Sequence, residues 1–150
     1  MFSPSKKLFY AVEAVLYIAY NAGTGPISSR DIAAKQNLPP RYLEQLMQKL
    51  VRAGILRGVR GPNGGYVLAR ERRRVTVGDI CDVLSQDKED DQQDDAAGTV
   101  LGRQIVQPVW DAAQAQMMDS LKQVNLADLC EQALKKNIKK SSEERMDFAI

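Results

Sequence analysis

A mainly α-helical fold with one small β-hairpin is what this sequence predicts, and three observations carry the prediction. Apolar residues recur three or four apart over most of the chain, the period of helices that bury one face. That period gives way around Arg60-Gly61-Pro62-Asn63-Gly64-Gly65, a glycine-rich tip between two short apolar runs, as a hairpin requires. Basic side chains crowd the first half of the chain and acidic ones the second. Together they describe a winged helix-turn-helix domain followed by a long dimerisation helix.

The first helix runs from about Ser5 to Asn21, with Leu8, Val12, Val15, Leu16 and Ala19 at helical spacing. It stops at Gly23-Thr24-Gly25-Pro26, a strong breaker. Lys6 and Lys7 ahead of an apolar stretch superficially resemble the start of a signal peptide. Glu13 interrupts that stretch and no clean cleavage pattern follows, so it reads as the amphipathic core helix of a cytoplasmic protein. No later run is long enough to span a membrane.

Ser28 or Ser29 caps a short second helix to about Gln36, and Ser28 with Asp31 approximates a capping box. Asn37-Leu38-Pro39-Pro40 is a tight connection whose Pro40 suits the first turn of a third helix. That helix runs to about Ala53, where Gly54 is placed to end it. Two short helices joined by a few residues are a helix-turn-helix candidate. Strands at 55–59 and 66–69 flank the hairpin tip, and Thr76 caps a fourth helix through Leu84.

Residues 86–99 form an acidic loop, with six acids, one lysine and no apolar side chain between Asp87 and Asp95. A long helix is expected from about Val100 to Val124, where Val106, Trp110, Ala113, Met117, Leu121 and Val124 make one apolar stripe. Pro108 must kink it or mark its true first turn. Asn125 and Asp128 repeat the capping pattern before a last helix carrying Leu126, Leu129, Ala133 and Leu134. From Lys135 onward the chain is expected to fray. The expected organisation is a helix-turn-helix and hairpin domain at 1–85, the loop at 86–99, helices at 100–138 whose apolar stripe suits dimerisation, and a tail at 139–150.

Composition narrows the chemistry. With 150 residues, 44% hydrophobic and 27% charged, the chain is an ordinary globular one of one domain plus an accessory element. It has no histidine, which removes Ser-His-Asp and Cys-His catalysis and most zinc sites. Two cysteines are too few for a Cys-only metal site within one chain. An enzyme is disfavoured. Residues 1–85 hold thirteen Lys or Arg against six Asp or Glu, a surplus of seven, whereas residues 86–150 hold eight against thirteen, a deficit of five. A basic half suits a polyanion, although two plain solvated surfaces would look the same.

The third helix carries the most information. Leu43, Leu46, Met47 and Leu50 fall on one face. With Arg41 set at 0°, Gln45 lies near about 40°, Gln48 near about −20° and Arg52 near about 20°, a narrow polar stripe opposite that face. Arg bonds a guanine edge or a phosphate, and Gln pairs with an adenine edge in the major groove. Pro40, Arg41 and Tyr42 occupy the N-terminal turn, the part of a recognition helix that approaches bases. Any surface helix has a polar side, but here six arginines (Arg57, Arg60, Arg70, Arg72, Arg73 and Arg74) follow in or beside the hairpin. An arginine at a glycine-rich tip enters a minor groove or grips phosphates.

These residues resemble the bacterial winged helix-turn-helix regulators of the IscR, NsrR, RirA and CymR family. The likeness rests on Leu38-Pro39-Pro40-Arg41-Tyr42-Leu43-Glu44-Gln45-Leu46, Ala53-Gly54-Ile55-Leu56, the run from Val59 to Leu68, and Thr76-Val77-Gly78-Asp79-Ile80. Tyr10-Ala11-Val12 and Trp110 also fit, and the likeness covers roughly residues 5–135. It implies a homodimer on a near-palindromic double-stranded DNA operator, the long helix crossing to the partner, which agrees with an apolar 106–124 stripe too large for one small chain to cover. It further implies Arg41, Tyr42 and Gln45 at the major groove, Glu44 at a position that rejects some operator classes, and Arg60, Gly61, Gly64 and Gly65 as the minor-groove wing. Ser5, Lys6 and Lys7 would meet phosphates, as the charge of the lysines independently permits. Ser28, Pro40, Gln48 and Arg52 complete the candidate contact set.

The sequence also departs from that family. Cluster-binding members carry three cysteines between the fourth helix and the long one, whereas here the segment holds Asp, Glu and Gln, with Gln104 and Gln107 where the last cysteine and a histidine would stand. Iron–sulfur clusters need thiolates, so no cofactor and no metal is carried over. Cys81 and Cys130, beside apolar neighbours on helices, read first as small core hydrophobes. Their sharper reading is a thiol redox switch, or an unusual cluster using these two with carboxylates, and the switch needs at least one accessible, acidified thiol. The leading function is therefore a dimeric sequence-specific repressor. The alternatives are a protein-interaction module docking a metabolic enzyme through the acidic loop or tail, and a ligand- or cluster-responsive sensor.

Overall fold

The computed structural model describes residues 5–86 and 98–143. Most of the acidic loop, 87–97, lies outside the described residues, as do 1–4 and 144–150. Six α-helices are described, α1 (Lys6–Tyr20), α2 (Ser29–Gln36), α3 (Pro40–Arg52), α4 (Val77–Ser85), α5 (Gln107–Leu121) and α6 (Leu126–Lys135). Between α3 and α4 lies one antiparallel hairpin, β1 (Leu56–Val59) and β2 (Gly65–Leu68), in which Leu56 faces Leu68 and Val59 faces Gly65.

Capping residues set most boundaries. Ser5 accepts from the Leu8 N–H to start α1, and Ser28, not Ser29, accepts from the Asp31 N–H at 3.1 Å to start α2. Asn37 ends α2 in the left-handed conformation (φ 55°), and Pro40 opens α3 with its fixed φ. Gly54, at φ +77°, turns the chain out of α3 where a side chain would be strained. Thr76 and Asp79 form a reciprocal capping box at α4, both bonds at 3.0 Å. Asn125 accepts from the Asp128 N–H at 2.9 Å to begin α6.

The core gathers around α1. Leu43, Leu46, Met47 and Leu50 of α3 are all buried, as their spacing predicts, with Ile32, Ile55, Leu56, Tyr66, Val75, Ile80 and Leu84. On α1 the buried face is Ala11, Ala14, Val15, Ile18 and Ala19, while Leu8, Val12 and Leu16 are only partly covered. The helix is thus rotated from its sequence-predicted stripe. It packs against α2, α3, α4, α6 and β2 together, and its alanines let those neighbours approach closely.

The C-terminal helices divide in a way that periodicity does not reveal. Leu126 and Cys130 of α6 are buried in the same core as α1. The junction before α6 is bonded to the junction before α4, with the Val77 N–H on the Val124 carbonyl and the Leu126 N–H on the Val75 carbonyl, both at 2.9 Å. α5 instead has no buried residue. A π-helical turn, Gly102–Val106, precedes it, and the Gln107 N–H reaches the Gly102 carbonyl five residues back. Pro108, in the first turn of α5, lacks an N–H, and its ring would press on the carbonyl of Gln104 in a regular helix; the wider turn makes room.

The expected fraying from Lys135 is corrected for the described part of the tail. Tyr20 donates its hydroxyl to the Ile138 carbonyl, the Ser141 N–H donates to Asn21 Oδ1 at 2.7 Å, and Lys140 Nζ sits 5.3 Å from the Tyr20 ring centre. Among the described residues, no helix is long and apolar enough to cross a membrane.

Candidate nucleic-acid interface

The interface is built on α3 and the hairpin. The apolar face of α3 is fully engaged in the core, which fixes the helix and turns Arg41, Gln45 and Arg52 outward, all three exposed. Pro40 and Tyr42 are exposed on its first turn. Ser5 and Lys6 are exposed at the start of α1 and Lys7 is half-buried. The hydroxyls of Ser5 and Ser28 serve as helix caps.

The wing tip is a turn from Gly61 to Gly64, closed by the Gly64 N–H on the Gly61 carbonyl at 2.9 Å, with Arg60 exposed beside it. Ile27, between α1 and α2, exchanges two backbone hydrogen bonds with Tyr66, at 3.0 and 2.8 Å, and so adds a one-residue bridge to the edge of β2. Gly65 is required at that contact. A Cβ there would collide with the Ile27 carbonyl and lie 2.7 Å from the Ser28 nitrogen.

Of the six arginines near the hairpin, three are tied to the protein. Arg70 donates to the carbonyls of Gly54 (3.1 Å) and Ala53 (3.2 Å), closing the C-terminal end of α3. Arg73 pairs with Glu71 at 2.7 Å, and Arg72 bonds the Cys130 thiol. All six side chains are exposed, the three that make these contacts as well as Arg57, Arg60 and Arg74. The hairpin thus carries a basic surface in which, among the described residues, only the Arg73 charge is paired with a neighbouring carboxylate, that of Glu71.

Between α3 and the wing lies a cleft of about 470 Å³ with Glu44 at its wall. The Glu44 carboxylate accepts from the Ser29 hydroxyl, from the Tyr66 hydroxyl at 2.5 Å and from Gln48 Nε2 at 3.2 Å. Gln48 Nε2 also donates to the Tyr66 hydroxyl oxygen at 2.9 Å. Burial alone would raise the Glu44 carboxyl, but the three donors outweigh it and hold it below the usual range. Burial, then the hydrogen bond to Glu44 and its charge, push Tyr66 up to about 12. Gln48, grouped by sequence with the outward stripe, thus has its amide directed at Glu44 and Tyr66. Nothing in the spacing of Gln48 and Glu44 signals this, because the third partner comes from the hairpin and the fourth from α2.

Neither Cys81 nor Cys130 is the accessible thiol that a redox switch needs. Both are free thiols buried in the core. Burial, then the charge of Asp82, push the Cys81 thiol up. Burial also pushes Cys130 up, more than the neighbouring Arg72 pulls it down. An exposed, acidified thiol is what redox reactivity requires.

On the apolar stripe expected to mediate dimerisation, Val106, Trp110 and Met117 are each more than half exposed, at 52%, 53% and 57%, and Ala113 is exposed. Leu121 and Val124 are half-buried within the chain, where α5 meets α4. Leu101, Ile105 and Val109 broaden the exposed apolar surface toward its N-terminal end.

Residues 4–132 match the Rrf2 family, described as iron-dependent transcriptional regulators. A Haemophilus influenzae protein described as an HTH-type transcriptional regulator is 33% identical over 141 residues, 89% of this chain and 87% of that protein. IscR of Klebsiella pneumoniae is 39% identical over 77 residues, 51% of this chain and 47% of IscR, so the match spans about half of that relative. Among solved structures, T. potens IscR superposes with a TM-score of 0.71 at 32% identity, covering 95% of this chain and 96% of that one. CymR, the global cysteine regulator of B. subtilis, gives 0.67 at 30% identity, covering 88% and 98%. The donor set here does not fit a cysteine-ligated cluster: the two thiols are in the core, and Gln104 and Gln107 offer amides, with Gln107 donating to Asp111 at 3.0 Å. Among the described residues no group of three or more His, Cys, Asp or Glu is placed to hold a metal ion.

Proposed function

This chain belongs to the Rrf2 family of transcriptional regulators, and from that premise we propose that it works as a homodimer binding a near-palindromic DNA operator and repressing transcription there. The observation that carries this reading is the exposed Arg41–Gln45–Arg52 stripe on a helix whose opposite face is locked in the core, next to a wing tipped by Arg60. In this arrangement Arg41, Tyr42 and Gln45 read base edges in the major groove, while Arg60, with Gly61, Gly64 and Gly65, enters the adjacent minor groove. Ser5, Lys6 and Lys7 at the start of α1, with Ser28 and Arg52, contact the DNA backbone, and Pro40 opens the turn that approaches the bases.

Two copies joined through the apolar face of α5 present two such heads to two half-sites. A dimer seated across both excludes other proteins from the covered DNA, which makes repression the sign we assign. A reporter placed behind the bound region is expected to rise when the protein is removed.

Arg41→Ala and Arg60→Ala test the contacts directly. Each is expected to weaken binding to DNA from upstream of the protein's own gene by about 1–3 kcal/mol. Each should also lower the slope of log affinity against log salt by about 1, since a counterion is no longer released. Fluorescence anisotropy over a salt series measures both. Unchanged affinity and slope in both variants would falsify the assignment.

A further inference from the structure

The Glu44 carboxylate, at the edge of the reading face, accepts from three side chains. Around the α3 axis Glu44 lies only about 60° from Arg41 and about 40° from Gln48, so a free carboxylate there would border the bases. It is not free. Ser29 of α2, Tyr66 of the wing and Gln48 of α3 all donate to it, so three separate elements converge on one acceptor. Tyr66 is 5% exposed, and its position is fixed from behind by the two backbone bonds to Ile27. Gln48 closes the ring by bonding both Glu44 and Tyr66.

We infer that Ser29, Gln48 and Tyr66 are positioning residues for base preference: they hold the Glu44 carboxylate against the wing and off the DNA, so that Glu44 does not read cytosine. A carboxylate accepts from the cytosine N4 amine in the major groove. With three protein donors it has little acceptor capacity left, and DNA competes for it only by breaking bonds between the wing and α3. The clasp thereby also keeps the recognition helix and the wing in one fixed arrangement. Thus a buried tyrosine and a serine at the start of α2 influence base preference without touching a base. The inference rests on the DNA-binding reading above.

The test is selection from a randomised duplex library, with sequencing of the bound fraction, for the full-length wild type, Ser29→Ala/Tyr66→Phe, and the same double variant carrying Glu44→Ala. The double variant is expected to gain cytosine at one position by about tenfold over the wild type, and the triple variant to lose that gain. A base preference identical to wild type overturns the inference, as does a uniform loss of affinity with unchanged preference, since either makes the clasp a scaffold only. A cytosine gain that survives Glu44→Ala overturns it too. Should the double variant melt early, Tyr66→Phe alone keeps the buried ring and carries the same test. If the wild type selects no sequence, the DNA-binding reading fails and takes this inference with it, a result distinct from unchanged preference among folded, binding variants.

Discussion

Trp110→Asp is expected to convert a dimer to a monomer and to lower operator affinity at least a hundredfold, with the core of each chain intact and only the concentration-dependent part of its melting lost. Trp110 is 53% exposed on α5, flanked by the exposed Val106 and Val109, and no residue of α5 is buried within the chain. A charge placed at the centre of an apolar contact between two copies loses its hydration with no partner to replace it, a cost of several kcal/mol. The core around α1 is untouched, so denaturant and thermal unfolding should lose only their dependence on protein concentration. Affinity falls because each half-site then binds alone, and linking two heads ordinarily contributes about 10²–10⁴ in avidity. Sedimentation velocity gives the mass and anisotropy the affinity. A variant that keeps the wild-type mass and DNA affinity would show that the chain dimerises elsewhere or not at all.

Gly65→Val is expected to destabilise the fold by about 3 kcal/mol, near the upper end for overpacking. For a chain of this size that is a fall of roughly 10 °C in Tm. The cause is local. The Cβ position at Gly65 is occupied by the Ile27 carbonyl, and a backbone cannot rotate away as a side chain can. The bridge between Ile27 and Tyr66 must open, the Tyr66 hydroxyl leaves Glu44, and the wing shifts from α3. DNA affinity should therefore fall in parallel with stability. Gly23→Val is the control, because nothing lies within 4 Å of a Cβ there, and it should melt close to wild type. Equal melting curves for the two variants would mean that the wing does not dock on Ile27 in solution.

Much of the molecule is legible in the sequence because it is decided by neighbours a few residues apart. Caps at Ser28, Thr76 and Asn125, the prolines before α3, Gly54 after it, and the four buried residues of α3 all follow from local spacing and side-chain chemistry. The outward stripe of α3 follows as well, since burying one face of a helix leaves its opposite face outside. The six arginines near the hairpin illustrate the limit. They share a charge and a stretch of chain, yet Arg70 is spent on α3 and Arg72 on Cys130, roles set by partners sixteen or more residues away.

The sequence alone therefore determined a helix-turn-helix with a β wing, the bounds of most of its elements, the outward polar stripe of α3 and the absence of histidine. Only the tertiary structure decided that α6 belongs to the core while α5 stands outside it, and that the tail to 143 is fastened to Tyr20 and Asn21. Only there, too, do Ser29, Glu44, Gln48 and Tyr66 become one hydrogen-bonded group. The physical reason is range: capping and amphipathicity act within a turn or two of chain. Which carboxylate meets which hydroxyl depends on how whole elements pack, and 22 residues separate Glu44 from the tyrosine it holds.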